Sequence, residues 1–293
     1  MTTIGIPPTI KLTIVNLIVG GIPMSSDVYL LAQNLRPRTK LRVLAGIGLI
    51  AALALACVPP IPQNQQYHLF ADSLCRFGIV NGANVFSNIF FTFAGLAGLL
   101  RIGRSAGFAG KFMWVSFYCA VTLVGFGSAY YHWQPSNDTL VWDRLPMTLA
   151  FSSLTAALIA ERISIKAGKL LFTPLMLISA LSVVYWWATE KAGAGDLRPY
   201  ILVQYLPMVL LPAVIILYRK GPSWDGPYWA LCGGYAVAKV LEWQDASIFF
   251  WTGQLVSGHT LKHIVAASAI LLFQLSFRDN RLEPDHTGDS GKE

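Results

Sequence analysis

Eight stretches of sixteen to twenty mostly apolar residues dominate this chain, at 41–58, 84–100, 112–131, 145–160, 170–188, 200–218, 227–243 and 259–277. Most are closed by a basic residue or a proline pair: Pro59-Pro60, Arg101, Glu161-Arg162, Arg219-Lys220 and Arg278. A helix needs roughly 20 such residues to cross a bilayer, and backbone polar groups in lipid must be paired within the structure. The pattern therefore predicts an all-α polytopic membrane protein. Composition agrees: 54% of residues are hydrophobic and 13% are charged, against about 25% charged in soluble domains. That excludes an ordinary soluble enzyme, a disordered chain and a collagen-like one. The 22 Lys and Arg against 15 Asp and Glu give a net charge of +7. In a membrane protein that excess marks cytoplasmic loops. No clustered basic–aromatic stretch points to nucleic acid.

The ends are less regular. Residues 1–40 hold a semi-apolar stretch, 4–24, broken by Lys11 and several prolines, a weak candidate for a ninth span. It lacks the basic start and small-residue cleavage site of a signal peptide. The tail from 278 to 293 is polar and expected to be disordered. Arg36, Arg38, Lys40, Arg42, Arg101, Arg104, Lys111, Lys166, Lys169, Arg219, Lys220, Arg278 and Arg281 fall on one side if eight spans alternate. The opposite side has Arg76, Arg144, Lys191 and Arg198. The positive-inside rule then places both termini in the cytoplasm. Cys57, Cys75, Cys119 and Cys232 lie far apart without a CxxC pair and are expected to be small buried hydrophobes.

Ionisable residues inside a membrane are costly, and here they collect at one predicted depth. His132 ends the third span, and Asp143 begins the fourth. Lys239, Glu242 and Asp245 lie near the end of the seventh, and His259, Lys262 and His263 begin the eighth. All these ends fall on the non-cytoplasmic side. His259 and His263 are four apart, on one helix face. With His132 they could hold a metal in the open three-histidine geometry of catalytic zinc, which lowers the pKa of a bound water to about 7. Ser128 lies one turn from His132 and could donate to a developing oxyanion. Asp143 could act as general base and then general acid. Plain readings stand beside these. Histidines and tryptophans can anchor helix ends, and Lys239 and Glu242, three apart, can neutralise each other. Lys262 can pair with Asp245 or Glu242, or snorkel to headgroups. Heme ligation is an alternative, although two histidines on one helix face suit a single ion better. His68 and His286 read as bystanders. Asn137-Asp138-Thr139 forms a sequon in what reads as a tight loop, a poor place for modification.

Gly127-Ser128-Ala129-Tyr130-Tyr131-His132, then Asp143-Arg144-Leu145-Pro146-Met147, then His259 and His263 in an HxxxH pair, resemble the alkaline ceramidase family. That family belongs to the CREST group of membrane hydrolases, which also holds the adiponectin/progestin receptor-like proteins. Asn84-Val85-Phe86-Ser87-Asn88 resembles the family's N-x-x-S-N segment. The likeness covers residues 70–277. It implies a seven-helix catalytic membrane domain with zinc on His132, His259 and His263, and Ser128 and Asp143 at the metal-bound water. The helix at 41–58 would be an addition before that domain. The implied reaction is hydrolysis of the N-acyl amide of a sphingolipid, giving a sphingoid base and a fatty acid. Two departures stand out. The family's acidic, calcium-binding stretch before the first core helix is reduced here to Asp72, with Asn81 and Asn84 as a weak remnant, which counts against calcium. The acid of the family's D-E-L-P-M is Arg144, which suits an anionic headgroup or a carboxylate product. Arg144, Lys239, Glu242, Asp245 and Lys262 are the candidates for the substrate side of the site or its surroundings.

The expected function is a zinc-dependent lipid amidase acting on a membrane lipid. A non-catalytic zinc-bearing receptor or stress-response protein is the alternative. A transporter using Lys239, Glu242 and Asp245 is disfavoured, because the polar residues sit near one rim rather than at a midplane between repeats. The sequence leaves the oligomeric state open.

Overall fold

The computed structural model describes residues 26–105 and 110–275, and these are helical with no strand among them. The candidate span at 4–24, His286 and the polar tail lie outside the described residues. The helices are α1 (Ser26–Asn34), α2 (Pro37–Ala56), α3 (Gly82–Phe86), α4 (Ile89–Arg104), α5 (Lys111–Trp133) and α6 (Asn137–Arg162). They continue as α7 (Ile165–Lys191), α8 (Arg198–Leu217), α9 (Pro222–Trp243), α10 (Asp245–Trp251) and α11 (Gly258–Leu275).

Local chemistry sets several boundaries. Pro37 opens α2, where a missing N–H costs nothing. Ser136 caps α6. Its hydroxyl accepts from the Thr139 N–H at 3.2 Å, and Thr139 Oγ1 accepts from the Ser136 N–H at 3.0 Å. The apolar run alone predicts a start at 145, but this cap starts the helix at Asn137. Asp143 and Arg144 thus lie well inside a helix rather than at its mouth. The sequon is this capped first turn, not a loop. The run predicted over 84–100 is broken between α3 and α4, because Ser87 Oγ and Asn88 Nδ2 both donate to the Asn84 carbonyl, at 3.1 and 2.7 Å. Side chains that compete for helix carbonyls bend helices in this way.

Helices α4, α5, α6, α7, α8, α9 and α11 pack each against the next, and α11 closes back on α4. α2 stands outside this ring, against α8, with most of its apolar surface exposed. Five helical segments are long and apolar enough to cross a membrane: Pro37–Ala56, Gly82–Arg104, Lys111–Trp133, Ile165–Lys191 and Arg198–Leu217. This is a multi-pass pattern, with three fewer qualifying spans than the eight predicted. The long helices left out are α6, α9 and α11, which carry Asp143 and Arg144, Lys239 and Glu242, and Lys262 with two histidines. The outer faces of α4, α5 and α7 are apolar and exposed, with Phe93, Leu100, Phe126, Leu170 and Leu181 all outward. The free cysteines follow suit: Cys57, Cys75 and Cys119 are exposed and Cys232 is half-buried, contrary to the expected burial. For Cys119, within the membrane-length α5, facing outward is facing hydrocarbon, so a weakly polar thiol need not turn inward.

At the end of the ring away from the histidines, the buried Arg162 guanidinium pairs with Asp225 at 2.5 Å and with Glu161 at 3.0 Å. Tyr228 donates to Glu161 at 2.8 Å. These contacts tie α6 to the first turns of α9. Removing either partner would strand a buried charge.

Candidate metal centre

Two close approaches build the site. Pro146 has no N–H, so the Trp142 carbonyl four residues earlier lacks its helical partner. Gly127 of α5 comes in at that carbonyl, where a Cβ would lie 1.9 Å from the oxygen. Only glycine permits this contact, and it packs α5 on α6 so that Asp143 and Ser128 line the same cavity. At the start of α11, a Cβ on Gly258 would lie 2.1 Å from the Leu241 carbonyl. That packs the first turn of α11 against the α9–α10 junction and brings His259 and His263 to His132.

The three imidazoles are buried, and their candidate ligand nitrogens lie within 4.8 Å of one another. His132 Nε2 and His259 Nε2 are 3.2 Å apart. A tetrahedral zinc with Zn–N bonds of about 2.0–2.1 Å holds its nitrogens about 3.3 Å apart, so this spacing fits the ion. The His263 orientation is fixed by a relay. Ser87 has one hydroxyl proton and can donate it to the Asn84 carbonyl at 3.1 Å. It then accepts from His263 Nδ1 at 2.8 Å, which leaves Nε2 of His263 free for a metal. Around the trio, Phe70 packs edge-on over His132 and His259, with ring centroids 4.6 and 5.0 Å away.

The residues read as a calcium remnant are bonded within this scaffold. Asp72, fully buried, pairs with Arg76 at 3.0 Å and accepts the Leu74 N–H. Arg76 also donates to the Leu255 carbonyl at 3.1 Å. Asn81, in a left-handed conformation, donates to the His132 carbonyl at 2.9 Å. Asn84 Oδ1 accepts from Thr260 Oγ1 at 2.7 Å, tying α3 to α11. The carboxylate that could serve a calcium ion is already answered by a guanidinium.

Other candidates fall differently from their sequence reading. Asp245 spends both oxygens on backbone: Oδ1 accepts the His259 N–H at 2.7 Å and Oδ2 the Ala71 N–H at 3.2 Å. It holds α11 in place and does not pair with Lys262. Lys262 pairs with Glu242 at 2.8 Å, and Lys239 bonds to the other oxygen of the same carboxylate. Arg144 turns away from the histidines into an aromatic box. Its guanidinium lies 4.1 Å from the Trp186 ring centroid and 4.4 Å from that of Tyr200, and it donates to Gln63 Oε1 at 2.7 Å. Contact with a substrate headgroup is therefore not its position here. His68 is no bystander: its nitrogens bond Tyr131 Oη at 3.0 Å and Asn137 Oδ1 at 2.9 Å.

These bonds belong to a strap, residues 58–72, which sequence patterning gave no reason to single out. It crosses the histidine end of the bundle. Arg198 donates to the Val58 carbonyl at 2.7 Å and the Leu197 N–H to that of Ile61 at 2.8 Å. The Gln63 N–H reaches Glu190 at 3.0 Å.

A cavity of about 80 Å³ opens beside His263, lined by Ser128, Asp143, Lys239, Glu242, Lys262 and Tyr235 among others. It shares Phe91, Val124, Met147, Tyr235 and Ala266 with a second cavity of about 120 Å³ whose exposed lining is wholly apolar. The histidine trio, Asp143 with Ser128, and an apolar chamber thus adjoin one another.

No curated protein matches the chain. The ceramidase family model matches residues 78–220, which include Ser87, Ser128, His132 and Asp143, while His259 and His263 lie beyond the match. The alkaline ceramidase resemblance read from the motifs and this match agree: over residues 78–220, the chain is similar to the ceramidase family.

Proposed function

We propose that this protein is a zinc-dependent membrane amidase that cleaves the N-acyl amide of ceramide or a ceramide-like lipid, releasing a sphingoid base and a fatty acid. The observation that carries this reading is the convergence of His132, His259 and His263 beside Asp143 and Ser128, at a cavity that shares five lining residues with an apolar chamber. The family match supports ceramide as the substrate class.

His132, His259 and His263 would hold the ion, which when bound supplies an acidified water and a polarised carbonyl. The chain's own groups do the rest. The apolar chamber takes a hydrocarbon chain and excludes water around the amide. Asp143 accepts a proton as water adds to the carbonyl carbon, then returns it to the departing amine nitrogen. Ser128, which lines the same cavity as Asp143, can orient the carboxylate and turn its hydroxyl to the developing oxyanion. Asp245, Ser87 and Asn81 hold the histidine-bearing segments.

The reading extends to topology. Seven membrane-crossing helices form the catalytic domain, residues 70–277, and α2 is an additional span. Supporting this are the closed ring of seven helices and the position of α2 outside it. Both termini would be cytoplasmic and the histidine end non-cytoplasmic. Arg101, Arg104, Lys111, Lys166, Lys169 and Arg219 cluster at the opposite end of the ring, as the positive-inside rule requires.

The direct test is release of free fatty acid from N-acyl sphingosine by the purified, detergent-solubilised protein, with and without added zinc. Zinc-stimulated release is expected, with no further gain from calcium, because Arg76 already answers Asp72. A folded, zinc-loaded protein that hydrolyses no lipid amide would overturn the reading in favour of a receptor-like role.

Removing the hydroxyl that orients His263 has its own readout. Ser87→Ala is expected to weaken zinc binding by about 10–100-fold, the usual size of losing such a support, while Ser87→Thr keeps most of it. Chelator competition measures this. Equal affinity in all three proteins would show that the relay does not matter.

A further inference from the structure

Across the cavity from Asp143 stands a wall rich in hydrogen-bond donors. Glu242 accepts Lys239 on one carboxylate oxygen and Lys262 on the other, at 2.8 Å for Lys262. One negative charge therefore answers two ammonium groups. The carboxylate has each oxygen engaged, whereas each ammonium keeps N–H donors beyond its single bond to Glu242. These are not freely solvated side chains: their relative exposures are 35% for Lys239, 18% for Lys262 and 17% for Glu242. Lys239 also lies over the Tyr205 ring at 5.8 Å. The cavity's other carboxylate, Asp143, lines it together with Ser128, so that two ammonium groups and two carboxylates balance in charge over the lining as a whole. Gln204 and Tyr235 add neutral hydrogen-bonding groups to the same wall.

A wall whose two ammonium groups keep unspent donors favours a ligand group made of acceptors, and an oxyanion is the strongest such group. We infer that the Lys239–Glu242–Lys262 wall is a headgroup subsite for an oxyanion, so that the substrate is a lipid amide with a phosphate or carboxylate on its polar end. This rests on the amidase reading and narrows it. The apolar chamber takes the hydrocarbon, the amide lies at the Asp143 side of the cavity, and the oxyanion bonds the free donors of Lys239 and Lys262. Glu242 is a positioning residue that holds both ammonium groups at one face. Its carboxylate also repels an oxyanion placed too deep, which fixes the depth at which the headgroup stops.

The test compares matched lipids. N-acyl sphingosine and N-acyl sphingosine 1-phosphate are presented to the zinc-loaded protein in the same detergent, and fatty acid release is followed. N-acyl amino acids supply the carboxylate arm. In parallel, a non-hydrolysable ether analogue of each lipid is titrated for binding. The anionic lipids are expected to be favoured by about tenfold to a hundredfold in kcat/KM and in binding, the size of one or two charge-assisted hydrogen bonds. Phosphate leading carboxylate, or the reverse, identifies which oxyanion fits. Lys262→Gln and Lys239→Gln are each expected to shrink the anionic-to-neutral ratio toward one, mainly through KM. Lys262→Arg is expected to retain part of the ratio. Neutral ceramide hydrolysed as well as or better than the anionic lipids, with equal analogue binding, overturns the inference and leaves the amidase reading standing. Anionic analogues that bind preferentially without any lipid being cleaved support the subsite and overturn the amidase reading. If no analogue binds preferentially and no lipid is cleaved, both fall.

Discussion

Zinc bound to the purified protein is expected to fall from about one ion per chain to nearly none when His263 is replaced by alanine, with hydrolysis abolished in the same preparation. Three imidazoles are the whole donor set that the described residues bring together here. With two left, an ion has neither the ligand number nor the fixed geometry of a three-histidine site. His132→Ala should behave alike, although it leaves the His263–Ser87 bond intact, so the pair separates loss of a ligand from loss of the relay. Elemental mass spectrometry gives the metal, and helical circular dichroism in detergent checks the fold. Full activity in a metal-free His263→Ala protein would remove the metal from the mechanism.

Asp143→Asn is expected to retain zinc and lose turnover by about 10²–10⁴-fold, the range for losing a positioned acid–base group. Asparagine keeps the size of the side chain and can accept from Ser128, so the α5–α6 contact at Gly127 should survive. What it cannot do is take a proton and give it back. The informative measurement is kcat beside zinc content and lipid binding in one preparation. Turnover near the wild-type value would take Asp143 out of the reaction. A loss of zinc together with turnover would make its role structural.

Much of this site was legible because its chemistry is carried by short spacings. The HxxxH pair on one helix face, and Ser128 one turn before His132, needed only helical periodicity. That all of them meet at one end followed from counting alternating spans. Less legible were the helix limits that depend on side-chain caps. Ser136 and Thr139 start α6 well before its apolar run, so Asp143 was placed at a helix mouth when it lies inside a helix. The count of apolar spans suffered from the same polar residues that make the site. Asp143 and Arg144, Lys239 and Glu242, and the first turn of α11 dilute the hydropathy of α6, α9 and α11. The roles of Arg144 and Asp245 could not be read from charge alone. Charge leaves open whether each faces substrate or supports the site, and partners distant in sequence decide where they point: Trp186, Tyr200 and Gln63 for one, and the His259 and Ala71 amides for the other. The strap has no period to betray it. Ser87 appeared in a recognisable motif, but its bond to His263 spans 176 residues of chain.

The strap over residues 58–72 works like lacing on a boot. It is fastened in turn to the start of α8, the end of α7, the inner face of α6, the last turn of α5 and the first residue of α10. Helices laced together at one end cannot splay there without undoing several bonds at once. Phe70 and the lacing lie across the histidine end. The α8–α9 seam is left unlaced, and the cavity wall formed by Gln204, Tyr235 and Lys239 belongs to those two helices. A molecule already dissolved in the bilayer meets that seam side-on.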